Sequence, residues 1–137
     1  MREVVPERLW IGNAGDARDP ARVLDAGVTA VVNLAIEETA PALPRDILYC
    51  HFPLVDGPGN SRGLMQLAID TIASLLREDI PTLVYCGAGM SRSVAIAAAS
   101  ISRWRGDPLK PALNMIADTG PHDVSPALWR DVAALGS

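Results

Sequence analysis

Between Pro81 and Ile101 the chain passes from a β-prone apolar segment, through a turn of small residues, into a segment that is apolar on nearly every face. Few folds accommodate that order. Pro81-Thr82-Leu83-Val84-Tyr85 reads as a strand bounded by a proline, and Ser93-Val94-Ala95-Ile96-Ala97-Ala98-Ala99-Ser100-Ile101 reads as a helix. A helix without a polar face has to be buried, so this one is predicted to be the central helix of the molecule. Between them Cys86-Gly87-Ala88-Gly89-Met90-Ser91-Arg92 carries two glycines and only small or unbranched residues before the arginine. Such a backbone can curl until successive N–H groups point at one anion, and the positive end of the following helix adds to the attraction.

A thiol placed in that field ionises far more readily than a free one, which makes Cys86 a candidate nucleophile. Arg92 offers a planar fork that can hold two oxygens of a phosphate. Gly87, Ala88, Gly89, Met90, Ser91 and Arg92 are therefore the candidate phosphate-binding residues. The bare spacing of cysteine and arginine says little, and it is the strand-to-helix context with Gly87, Gly89, Ser91 and Ser93 that gives it weight.

The remaining pattern fits the same architecture. Asp19-Pro20 caps a short helix over Ala21 to Ala26, closed by Gly27. Thr29 to Leu34 is a buried strand, the segment 36–44 with two prolines is a loop, and Ile47 to Val55 is a second strand beside the first. Asp56-Gly57-Pro58-Gly59-Asn60 is a loop dense in turn formers. Leu64, Leu67, Ala68, Ile72, Leu75 and Leu76 repeat at helical spacing and place an amphipathic helix over Arg62 to Arg77. Asp107-Pro108 and Ser125-Pro126 repeat the cap-then-proline start for helices over Leu109 to Ala117 and Ala127 to Leu135. Strands alternating with helices predict a single α/β domain over 1–137, a small and mostly parallel central sheet flanked by helices.

Composition narrows the function. With 137 residues, 49% hydrophobic and 20% charged, the chain reads as globular. Its net charge of −4 and the single lysine, Lys110, leave no basic patch for nucleic acid, and Arg92 is the one cation in the phosphate loop, which disfavours inositol polyphosphates. No apolar run approaches the roughly 18 residues of a membrane span, and the first residues carry no signal core, so a cytoplasmic monomer is expected. Two cysteines make no disulfide framework, and no Cys/His cluster has ligand spacing, so neither metal nor cofactor is called for.

Cleavage of a phosphate ester by a thiolate needs a proton for the departing oxygen. Asp56 stands at the end of a strand in a Gly/Pro loop that can fold over the pocket, although a plain turn residue would look the same. Asp46 is the next carboxylate to test. Asn33 and Asn60 read as loop braces. Cys50 reads as a core residue more readily than as a redox partner for Cys86, and His51 and His122 have no visible partner.

Cys86-Gly87-Ala88-Gly89-Met90-Ser91-Arg92-Ser93 resembles the Cys-x5-Arg-Ser/Thr signature of the cysteine-dependent phosphatases, in the form found in the small dual-specificity phosphatases. Leu9 to Ala14 resembles that family's opening strand and turn, Val28 to Leu34 its next strand, and Phe52 to Asp56 the segment that carries its general acid. The resemblance implies hydrolysis of phosphate monoesters, in proteins or small molecules, through a phosphocysteine. It assigns the acid to Asp56 and a hydrogen bond to the cysteine sulfur to Ser93. One position departs from it. The family has histidine directly before the cysteine, and here Tyr85 stands there, neutral below about pH 10, so it is expected to modulate the thiol less strongly. Two other readings compete: a sulfurtransferase of the rhodanese type, which also holds a cysteine in an anion-binding loop, and a catalytically weak phosphate-binding relative.

Overall fold

A computed structural model of the chain describes residues 1–135. The chain opens with a hairpin of β1 (Arg2–Val5) and β2 (Leu9–Asn13), turned at Glu7 in the left-handed region with φ of 62°. Two short helices follow, α1 (Ala14–Ala17) and α2 (Pro20–Asp25), and then β3 (Ala30–Ala35), β4 (Leu48–Leu54) and the long α3 (Arg62–Arg77). β5 (Thr82–Cys86) leads into α4 (Arg92–Arg105), and α5 (Leu109–Ala117) and α6 (Pro126–Leu135) complete the described chain. The sheet order is β1-β2-β5-β3-β4, with β1 antiparallel to β2 and the other pairs parallel. The mostly parallel α/β sheet matches the expectation from sequence.

The last strand in sequence is the middle one in space. β5 inserts between β2 and β3, so all five of its residues are buried and its carboxyl end lies where the strand order switches. Crevices at that edge of an open parallel sheet are where ligands bind. The four parallel strands end on the same edge, and they deliver Asn13, the 36–38 segment, Asp56 and Cys86 there.

Two cores cover the sheet. Trp10, Ala14, Ala17, Val23, Val31, Leu83 and Tyr85 pack on one face under α1 and α2. Ile11, Val32, Val84, Cys86, Ile69, Ile72, Ile96, Ile101, Ile116 and Leu128 pack on the other, under α3 to α6. Alternation along β5 sends Val84 and Cys86 to one face and Leu83 and Tyr85 to the opposite one. α4 is the buried centre, as its apolar sequence requires, with Val94 to Ala98 fully enclosed.

Boundaries follow local chemistry. Asp19 caps α2 by accepting from Arg22 N at 3.2 Å, and Ser61 caps α3 by accepting from Leu64 N at 3.0 Å. α4 runs on to Arg105 and stops at Gly106, whose φ of 72° suits glycine. The predicted cap at Asp107 is corrected: α5 starts after Pro108 with no side-chain cap, and the carbonyl of Asp107 accepts from Ser102 Oγ. β1 and α1 had no counterpart among the expectations, because two apolar residues in four and a single turn of helix leave no periodicity to read.

Candidate active site

Cys86 closes β5 at 2% exposure, with Ser93 fully buried in the first turn of α4 behind it. Their Sγ and Oγ atoms lie 3.3 Å apart, within hydrogen-bond reach for sulfur. When the sulfur is a thiolate it can only accept, so the Ser93 hydroxyl is then the donor.

The loop between them is held from outside. Ala14 N donates to Gly87 O at 3.2 Å, and Asp123 N donates to Met90 O at 2.8 Å. In a planar trans peptide the N–H opposes the C=O, so the amides of Ala88 and Ser91 are turned the other way, into the loop. Gly89 makes this curl possible. Its φ is +73°, and a Cβ there would stand 2.7 Å from the backbone oxygen of Gly12.

Arg92 is 6% exposed and already occupied on one face. Its Nη1 and Nη2 donate to Glu37 Oε1 and Oε2 at 2.6 and 2.5 Å, and Nη1 also donates to the carbonyl of Leu54 at 3.0 Å. Nε is buried with no partner. The end of the fork expected to grip phosphate is therefore taken by Glu37, and the free edge is the side formed by Nε and the second hydrogen of Nη2. That edge also presents two parallel donors to an oxyanion. The guanidinium pulls the Glu37 carboxyl from its usual 4.5 down to about 2, against the opposing effect of burial.

Asp56 meets the loop through Ser91. The Ser91 hydroxyl donates to Asp56 Oδ1 at 2.5 Å and accepts from Ser125 N at 2.9 Å. Ser91 thus ties the acid loop and the segment before α6 to the phosphate loop. Asn60 braces the acid loop from within, accepting from Val55 N at 2.8 Å and donating to Val55 O at 2.9 Å. The cavity so formed, about 200 Å³, is lined by Asp56, Cys86, Ala88, Met90, Ser91, Arg92 and Asp123. Cys86, Arg92 and Asp56 are thereby brought to one pocket, as their sequence positions predict.

Other candidates fall elsewhere. Tyr85 is 1% exposed and belongs to the opposite face of the sheet from Cys86, among Trp10, Ala14 and Ala17. Burial and nearby Tyr49 push its hydroxyl well above the ordinary tyrosine range. Cys50 pairs with Val32, which pairs with Val84, so it sits two strands, about 10 Å, from β5. A direct bridge to Cys86 is out of reach. His51, expected to lack a partner, has its Nε2 at 2.9 Å from Ala35 O.

Two contributors escaped the sequence reading. Glu37 lay in a segment read only as loop, although the residues just past a parallel strand's carboxyl end are where a site forms. Asn33 positions it: fully buried, it accepts from Ala35 N at 2.9 Å and donates to Glu38 O at 3.0 Å, locking the turn that presents Glu37. Asp123 follows a helix in chain order, and nothing in its neighbourhood pointed to the pocket.

This geometry has relatives. A family model described as "Polymorphic toxin system, DSP-PTPase phosphatase" matches residues 12–107. The chain belongs to the dual-specificity phosphatases. Mouse dual specificity phosphatase 28 is 32% identical over 120 residues, covering 85% of this chain and 72% of the mouse protein. Its human counterpart is 30% identical over 129 residues, covering 91% and 72%. The crystal structure of human dual specificity phosphatase 28 matches with a TM-score of 0.88 at 26% identity, over 98% of this chain and 94% of that one. Membership makes the chain a phosphatase, and the sulfurtransferase reading is not favoured.

Proposed function

We propose that this dual-specificity phosphatase hydrolyses phosphate monoesters, phosphotyrosine first and phosphoserine or phosphothreonine second, through a covalent phosphocysteine. The observation that carries the reading is the pocket that Cys86 lines together with Arg92, whose Nε is buried without a partner. The dianion enters the loop, where the inward amides and the Nε/Nη2 edge of Arg92 replace its water. Cys86 attacks phosphorus in line, the P–O bond to the substrate breaks, and Asp56 gives its proton to the leaving oxygen. Oδ1 of Asp56 is engaged by Ser91, which leaves Oδ2 to carry that proton. In the second step Asp56 takes a proton from water as the water displaces sulfur, and Ser93 stabilises the departing thiolate. Phosphate and free enzyme result.

A cytoplasmic location belongs to the same reading, and no helix among the described residues is long and apolar enough to cross a membrane. A single catalytic domain over 1–137, acting as a monomer without metal, completes the reading.

Cys86→Ser is the test. The variant is expected to keep the fold and bind vanadate but to lose turnover of para-nitrophenyl phosphate, and wild type quenched in acid during turnover should carry phosphate on Cys86 by mass spectrometry. Turnover surviving the substitution would overturn the covalent mechanism.

A further inference from the structure

The pocket does not end at the phosphate. Asp123 forms part of its wall, fixed by the bond from its own N–H to Met90 O at 2.8 Å, and two residues on Ser125 N is fixed to Ser91 Oγ at 2.9 Å. The segment is stitched to the phosphate loop at both points, so Asp123 is held at the mouth. Its carboxylate is exposed and makes no ion pair among the described residues. Asp123 also lines a second cleft of about 310 Å³, walled by Leu113, His122, Val124, Pro126 and Trp129. Both concavities share Asp123 as a wall, and we call the pair a trough.

Along this trough Arg92 is paired with Glu37, His122 lines the cleft beside Asp123, and the Asp123 carboxylate is the acidic group at the mouth that makes no ion pair among the described residues. The unpartnered Nε of Arg92 fixes where the phosphoryl group sits, and a polypeptide entering there advances about 3.3–3.6 Å per residue past Asp123.

We infer that Asp123 is a specificity-determining residue that selects phosphopeptides with a lysine or arginine beside the phosphorylated residue and an apolar side chain beyond it, seated in the Leu113–Trp129 cleft. This rests on the phosphatase reading of the same pocket. The cation meets the free carboxylate of Asp123, and an acidic neighbour would meet repulsion from it. The apolar side chain leaves water for the face of Trp129, Val124 and Leu113.

The test compares kcat/KM on matched phosphotyrosine peptides whose flanking residue is arginine, alanine or glutamate, with para-nitrophenyl phosphate read in parallel. Arginine should exceed alanine by roughly two- to fivefold, the effect of one exposed ion pair, and glutamate should fall below alanine. The preference should shrink at high salt. Asp123→Asn should flatten the ratios and Asp123→Lys should invert them, and because ratios are compared, a general loss of activity does not mimic the effect. Replacing the apolar residue beyond by serine should raise KM, and Val124→Ser should narrow that difference. Hydrolysis of all peptides at equal efficiency, or ratios unchanged in both Asp123 variants, overturns the inference and leaves the phosphatase intact. Failure to hydrolyse para-nitrophenyl phosphate as well would instead defeat the reading on which it rests.

Discussion

At the scale of single residues the cation of the site is already paired before substrate arrives. Glu37 holds one face of Arg92 and leaves the other free, so it acts by aiming the guanidinium. Glu37→Gln should lower kcat/KM for para-nitrophenyl phosphate by roughly 10- to 100-fold, the effect of losing a charge-assisted contact of about 1.5–3 kcal/mol. The pair also leaves a mark on stability. A carboxyl more acidic in the folded chain stabilises it fully above the unfolded value of 4.5, and that contribution fades as pH falls toward about 2. Half of the Glu37 side chain is exposed, so solvent weakens the effect. Denaturant titrations at several pH values should show the variant less stable near pH 7 and the two proteins converging within that window. A constant gap across it would show that the pair does not contribute by charge. Asp56 is tested by its leaving group. Asp56→Asn should cost about 10²–10⁴ in rate for an alkyl phosphate and much less for a substrate whose alcohol is already acidic. An equal loss on both would make Asp56 a loop residue; Asp46, the other carboxylate named from sequence, is corrected by the fold, since it precedes the amino end of β4 at the edge away from the pocket, which leaves Asp123 as the next to test.

At the scale of elements, β5 decides what each residue sees. Its alternation puts Cys86 under α4 and Tyr85 under α1, so residues adjacent in sequence stand on opposite sides of the sheet. Tyr85 can therefore influence the thiol only through the backbone or through a charge acting across the sheet. Tyr85→Phe should leave the pH profile of iodoacetamide inactivation where it is. Tyr85→His puts a group that can take a proton next to Glu38 and should shift the profile to lower pH. Identical profiles for all three would make position 85 a packing residue. Sequence carried the strand–loop–helix unit because its chemistry is local: the glycines, the cysteine and the apolar helix are contiguous. α3 was equally legible as a helix, though not in every residue of its face: Leu67, read into that face, is 59% exposed, and Met65 and Ile69 are buried. Glu37 and Asp123 were not, because their roles depend on which strand lies beside β5 and on how the segment after α5 folds back, and neither is encoded near them. Ser91 was half legible, readable as a loop shaper but not as the tie between Asp56 and Ser125.

At the scale of the whole molecule the strand order sets how the enzyme meets oxidants. A thiolate nucleophile is also the group that peroxide attacks first, giving a sulfenic acid that a nearby thiol can capture and protect. The sheet denies Cys86 that protection from within. Cys50 stands two strands away across β3, and burial pushes its thiol toward the protonated, unreactive form. Recovery after a peroxide pulse should therefore depend on added dithiothreitol, complete when the pulse is short and falling as the sulfur climbs to the irreversible acids. Cys50→Ser should leave that time course unmoved, whereas faster permanent loss in the variant would mean that the two sulfurs meet after all. Placing the nucleophile on the innermost strand shields it sterically and, by the same placement, leaves its chemical repair to molecules outside the chain.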